Sequence, residues 1–215
     1  MTQTKEAIPK DPAKIQRIME SALHIFAQKG YRGAKTESIA RVAEVSKGIV
    51  FRYYGNKAQL YLATLEFALK RVMAAADYSV WTSAVDLTDM VVKATRYKIQ
   101  LQLQFPDEFE LSMSAYAPSD DLPAALKTKI AKMYTQKTSD AIDMLLEPVL
   151  KRLNLRPGIT IEDIQHMMDM VVTAIGQESS AFMKKHPHAT IAEFDEIIDH
   201  AKRYLDILQN GFIAK

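Results

Sequence analysis

The sequence predicts an all-α protein, and three observations carry that prediction. Apolar residues recur at spacings of three and four through most of the 215 residues, the pattern of one-sided helices. The 7 glycines and 8 prolines sit mostly between those periodic stretches, where they punctuate helices instead of interrupting them. Polar capping residues stand at the head of one stretch after another.

Residues 1–11 have no apolar period and are expected to be disordered, with Lys5 and Lys10 available to a phosphate backbone. Asp11 and Pro12 then form an N-cap followed by an N1 proline. Ile15, Ile18, Met19, Ala22, Leu23, Ile25 and Phe26 give the first helix its apolar face, with His24 packed or solvated beside it, and Gly30 is expected to stop it. A short second helix is expected to be capped by Thr36 and to bury Ile39, Ala40 and Ala43. Glu44-Val45-Ser46 breaks the period, Val45 as an apolar plug and Ser46 as the next N-cap. The third helix covers Lys47 to Tyr54. Val50 and Tyr54 share its inner face, leaving Gly48, Ile49, Phe51 and Arg52 outward or flanking.

Gly55 and Asn56 end that helix and cap a long one reaching about Ala76. Its Leu60, Leu62, Leu65, Phe67, Leu69 and Val72 lie on more than one side, as in a helix shared by two packing units. We place the domain boundary there, near Tyr61: residues 1–60 form a head and residues 61–215 a body. In the body, helices are expected from the Asp86 cap to Phe105, ended by Pro106, and over Asp107 to Tyr116. Pro118 to Asp121 reads as a turn. The next helix has Pro123 in its first turn and runs through Ile130, Tyr134, Ile142 and Leu145 towards Leu153, bent by Pro148. Asn154 to Gly158 is a loop. Two capping boxes, Thr160 with Asp163 and Thr190 with Glu193, open the last helices at 161–185 and 191–212. Ile164, Met167, Met168, Val171, Val172 and Ile175 are expected to face inward on one, and Phe194, Ile197, Ile198, Ala201, Leu205 and Leu208 on the other. Gly176, Ser179 and Ser180 leave a small-residue patch for close approach of a partner helix. The chain thus has about nine helices.

Two short helices joined by a tight turn form the helix-turn-helix unit, whose second helix enters the DNA major groove. Lys57, at the N1 position of the following helix, opposes the helix dipole. Beside free N–H groups a lysine suits a phosphate. Thr36, Ile39, Ala40, Ala43, Val45, Ser46, Gly48, Tyr53, Tyr54, Lys57 and Leu60 fill the pattern T-x-x-I-A-x-x-A-x-V-S-x-G-x-x-x-x-Y-Y-x-x-K-x-x-L. This stretch resembles the DNA-binding signature of the TetR family of bacterial transcriptional regulators. In that light Thr36, Ser46 and Tyr53 bind phosphate through their hydroxyls, and Lys47 reaches a guanine edge or a phosphate. Gly48 lets the backbone approach the groove floor, Ile49 meets a thymine methyl and Phe51 the sugars or a methyl. Arg52 takes a guanine or a phosphate and Lys57 clamps phosphate. The resemblance further implies a homodimer through the last two helices, forming a four-helix bundle on a palindromic operator. It also implies repression relieved by a small apolar or amphipathic ligand, which tilts the long connecting helix.

Charge agrees with this polarity. Residues 1–57 hold 11 Lys and Arg against 5 Asp and Glu, while the remainder holds 17 against 21. A basic head on an acidic body suits an end-on encounter with a polyanion. The absence of cysteine excludes disulfides, thiolate metal sites and cysteine nucleophiles. No apolar run reaches membrane length and the N-terminus lacks a signal-peptide core, so a cytoplasmic location is expected. No phosphate-cradling glycine motif is present, and the five histidines never take a metal-binding spacing. No acid–base pair can be nominated, so no catalysis, cofactor or metal is expected. Apolar, adaptable residues concentrate in the body. Trp81, Phe109, Met113, Tyr116, Tyr134, Met144, Met168 and Phe182 are the candidates to line a ligand pocket. The alternative is a helical ligand-binding adaptor that kept the head without reading an operator.

Overall fold

A computed structural model of the chain describes residues 11–84, 87–116, 121–141, 155–186 and 189–211. The helices in chain order are α1 (Pro12–Gly33), α2 (Thr36–Val42), α3 (Lys47–Tyr54), α4 (Lys57–Ala75), α5 (Ser79–Thr82), α6 (Leu87–Gln104), α7 (Pro106–Tyr116), α8 (Ala124–Ala141), α9 (Ile161–Lys185) and α10 (Asp195–Asn210). Among the described residues none is long and apolar enough to cross a membrane. The expected cap at Asp86, most of the Pro118–Asp121 turn, and the stretch containing Ile142, Leu145, Pro148 and Leu153 lie outside the described residues, as do Lys5 and Lys10. The chain forms two compact units: Met1–Ala74 with Asp107–Ala131, and Ala75–Pro106 with Lys132–Lys215.

In the first unit, α1 starts as its cap dictates. The Asp11 carboxylate accepts from the N–H groups of Ala13 at 3.0 Å and Lys14 at 3.4 Å. Gly30 leaves the helical path (φ 63°, ψ 180°), but the chain makes a further turn to Gly33 before it ends. The spacing of apolar residues along α1 places Ile18, Ala22 and Phe26 in the core, all fully covered. Ile18 and Phe26 each contribute about 1.5–3 kcal/mol by leaving water, and the Ala22 methyl about 0.8 kcal/mol. The Phe26 ring meets Tyr61 of α4 edge-on at 4.9 Å, and Tyr31 meets the same ring at 5.3 Å. Tyr61 is therefore a core residue of the unit that carries the head. The same unit holds α7. There His24 Nδ1 lies 2.8 Å from the Asp107 carboxylate, and Arg71 of α4 pairs with the buried Glu108 at 3.3 Å.

In the second unit α6 packs against α10, with α5, α9 and a short 3₁₀ turn (Ile191–Phe194) completing the contacts. Trp81, Met90, Val91, Ile99, Met168, Ile175, Phe194, Ile198, Ala201 and Leu205 form its core. Both capping boxes close as the sequence requires. Asp163 N–H donates to Thr160 Oγ1 at 3.1 Å while Thr160 N–H donates to the Asp163 carboxylate at 2.8 Å. Thr190 N–H donates to Glu193 at 2.7 Å. The second box opens the 3₁₀ turn, which leads into α10. Two inward assignments need correction. Met167 and Val172 stay 39% and 38% exposed, because they flank the stripe of Met168, Ile175 and Ser179 that packs inward. Ser179 is itself buried inside the unit, so the small-residue patch does not lie on one outer face. The single turn α5 was not read from the sequence, since four residues carry no period.

Candidate nucleic-acid interface

Helix α2 ends and α3 begins through a turn whose backbone bonding is well defined. Val45 N–H donates to the Ala40 carbonyl at 3.0 Å and Glu44 N–H to the Arg41 carbonyl at 3.2 Å, the paired bonds of a Schellman end. That motif needs a left-handed residue, and Glu44 supplies it at φ 53°. Arg17 of α1 fastens the turn from behind, its Nε donating to the Ala43 carbonyl at 2.9 Å. Ser46 then caps α3, its Oγ accepting from Ile49 N–H at 3.2 Å. Val50 buries itself while Gly48, Phe51 and Arg52 face outward and Ile49 is half-buried. The short helix is thus held at one face and presents the other.

Thr36 requires a correction. It stands at the first helical position of α2, nearly covered at 7% exposure, and Lys35 occupies the cap without a side-chain bond. Lys47 is paired with Glu37 of α2 and lies 5.5 Å above the Phe51 ring. Its hydrogen bond is the main reason the Glu37 pKa falls below the usual carboxylate value. The Tyr53 hydroxyl oxygen accepts from Asp11 N–H at 3.1 Å, tying α3 to the start of α1. Gly55 closes α3 at φ 76°, and Asn56 caps α4 by accepting from Gln59 N–H at 2.9 Å. Lys57 opens α4 as expected. Its Nζ donates to the Arg32 carbonyl at 3.3 Å and sits 4.8 Å above the Tyr31 ring, where desolvation lowers its pKa against the opposing field of Glu37. Ser46, Lys47, Gly48, Phe51, Arg52 and Lys57 therefore lie together along α3 and the start of α4.

Arg17 and Glu37 were missed in the sequence. Arg17 shows no signal, because its partner is a backbone carbonyl 26 positions away in a turn. Glu37 stands at a position of the α2 pattern that accepts any residue, and only the fold brings it to Lys47.

The body candidates divide between the units. Trp81, Met168 and Phe182 belong to the second, Trp81 and Met168 in its core and Phe182 packed against it with its ring 4.8 Å from Phe194. Tyr134 lies in the part of α8 assigned to the second unit, whereas Phe109 and Met113 lie on α7 in the first. The Tyr116 side chain and Met144 lie outside the described residues. Among the described residues no cluster of three or more His, Asp or Glu is placed to hold a metal.

Residues 18–64 match the model of the family described as bacterial regulatory proteins, tetR family. Over 174 residues the chain is 28% identical to the HTH-type transcriptional repressor AcnR of Corynebacterium jeikeium, covering 74% of this chain and 89% of that one. It is 30% identical over 130 residues to the HTH-type transcriptional regulator RutR of Escherichia coli, covering 55% and 57%. Among solved structures, the transcriptional regulator FadR from Bacillus subtilis in complex with stearoyl-CoA superposes with a TM-score of 0.66, covering 93% of this chain and all of that one. At 12% identity that likeness is one of fold.

Proposed function

The chain is a TetR-family DNA-binding transcriptional regulator, and on that premise we propose that it is a repressor released from a palindromic operator by a small amphipathic ligand. The observation that carries this reading is α3, capped at Ser46, anchored by Val50 and offering Lys47, Gly48, Phe51 and Arg52 to a groove. Arg52 and Lys47 supply the donors for guanine edges, Ile49 and Phe51 apolar contact for thymine methyls, and Ser46, Tyr53 and Lys57 the phosphate contacts. Thr36, nearly covered, reaches phosphate only through its hydroxyl. In this reading residues 1–60 read DNA and residues 61–215 bind the ligand and dimerise, in the cytoplasm where the operator is.

In this reading the protein is a dimer, because a palindromic operator presents two equal half-sites. Two recognition helices about 34 Å apart address half-sites one duplex turn apart. The exposed Met167 and Met170 of α9 and Ile207 of α10 support pairing through these two helices, since apolar surface of that kind is stabilised by a partner. AcnR is a repressor and FadR holds an acyl-CoA ligand, which support repression and ligand release. Trp81, Phe109, Met113, Tyr116, Tyr134, Met144, Met168 and Phe182 remain our candidates for the lining.

The test is selection of duplexes from a random library by purified protein at about 100 mM salt. A palindrome with half-sites about 10 base pairs apart is expected. Unrelated sequences, all lost equally as salt rises, would instead favour an adaptor that does not read an operator.

A further inference from the structure

The ammonium of Lys57 is held from behind by groups that trace back to the core of the first unit. Gly30 turns α1 off its helical path, and the next residue, Tyr31, sets its ring plane at 89° to that of Tyr61, with centroids 5.3 Å apart. Tyr61 is buried and meets the fully covered Phe26 edge-on at 4.9 Å. Edge-to-face pairs favour one orientation of each ring against the next, so the plane of Tyr31 is set by the core. Lys57 Nζ lies over that ring, 4.8 Å from its centroid, within the range in which a cation is drawn to a π face. The Arg32 carbonyl, one residue further along, accepts a hydrogen bond from the same Nζ at 3.3 Å.

An ammonium has three N–H donors, and Lys57 is only partly covered. The single carbonyl therefore leaves donors for an oxygen outside the protein. Glu37, which bonds Lys47, also exerts its field on Lys57. Both ammonium groups thus stand around one carboxylate, at the edge of the surface that α3 presents. A lysine that is fixed on a phosphate loses its rotamer freedom, and one already fixed by the protein avoids that loss on binding.

We propose that Tyr31 is a positioning residue for DNA binding: with the Arg32 carbonyl, its ring holds the Lys57 ammonium in place for one operator phosphate before the duplex arrives. Tyr31 acts through Lys57, so it sets affinity and leaves the choice of sequence to α3. This rests on the reading of the chain as an operator-binding regulator. It adds to that reading a residue that lies outside the motif from Thr36 to Leu60.

The experiment measures the full-length protein on the duplex it selects, by anisotropy over a series of salt concentrations. Lys57→Met should lower the slope of log K against log salt by about one unit, as one phosphate contact is lost. Tyr31→Leu keeps an apolar side chain and removes the π face. It is expected to weaken binding about threefold to tenfold, equally for the selected duplex and its single-base variants. Tyr31→Phe restores the ring and should restore the affinity. In the Lys57→Met background the same Tyr31→Leu change should cost nothing more, whereas a merely structural role would weaken both backgrounds alike. Additive losses therefore overturn the proposal, and so does an unchanged slope in Lys57→Met, which would mean that Lys57 meets no phosphate. In either case sequence-selective binding by the unmodified protein leaves the regulator reading standing, and only its absence removes that reading. Should Tyr31→Leu fail to fold, isotope-labelled lysine in the unmodified protein decides. The Lys57 Hε signals, assigned by their absence from Lys57→Met, should be shifted upfield by the ring and stay so on the operator. Loss of that shift in the complex would overturn the proposal, because the ammonium would have left the ring to reach DNA.

Discussion

Glu44 and Glu37 are two acidic residues in the head whose roles differ. Glu44 holds the left-handed position between the two short helices, where an L side chain costs about 1–2 kcal/mol and Asn costs less. Glu44→Asn is therefore expected to stabilise the head by up to about 1 kcal/mol, read as a higher denaturant midpoint at unchanged slope. Sequence reading found the break at this point but not its conformation, because a left-handed turn is signalled by Gly or Asn and here neither is present. Glu37 holds Lys47 in the free protein. DNA and Glu37 compete for the same ammonium, so Glu37→Gln should tighten operator binding. It should also steepen the salt dependence of log K by up to about one unit per decade of salt, as one more cation meets phosphate. An unchanged slope would mean that Lys47 does not contact DNA. The outward set on α3 was legible, because a short helix with one buried valine declares its exposed face. The pairing of Lys47 was not.

At the scale of elements, caps were the most readable feature and now make a prediction about pH. Asp11, Ser46, Asn56, Thr160 and Thr190 all begin helical turns where expected. Thr36 does not, since Lys35 takes the cap position and Thr36 is the first helical residue, nearly covered. Asp163 is held below the usual carboxylate pKa by the Thr160 side chain, and Glu193 by the Thr190 backbone N–H. A depressed carboxylate contributes stability that is present above its unfolded pKa and lost as pH falls through the folded one. Amide protection at the starts of α9 and the 3₁₀ turn should then be full near neutrality and fall below about pH 4. Asp163→Asn should flatten that dependence at α9 alone, leaving the Thr190 turn titrating as before. Equal pH dependence with and without Asp163 would show that the box does not control fraying there. Met167 and Val172 show the limit of periodicity at this scale. The period identifies an apolar helix, but with apolar residues on several sides it does not say which are covered by the same chain.

Across the whole molecule, the division of the chain constrains how a ligand can reach DNA. The two units exchange the chain at residues 74–75, 106–107 and 131–132. The middle crossing joins α6 to α7 through Phe105, with Pro106 opening α7. Within its own unit α7 is fixed to α1 by Asp107 on His24 and to α4 by Glu108 on Arg71. Sequence reading assigned the lever to α4 alone, since its multi-sided apolar pattern is visible locally, whereas a pair such as His24 and Asp107 spans 83 positions. The contacts make α7 a second connection. If α7 transmits movement of α6, loosening its anchor should weaken communication without touching the surface that reads DNA. Glu108→Gln keeps a hydrogen bond to Arg71 but removes the buried charge. We expect operator affinity within about threefold of the unmodified protein and ligand-driven release reduced by about fivefold or more, the low end of usual coupling energies. Operator affinity and its ligand dependence, measured together by anisotropy, decide the matter. Coupling that survives intact in Glu108→Gln would return the whole of the transmission to α4.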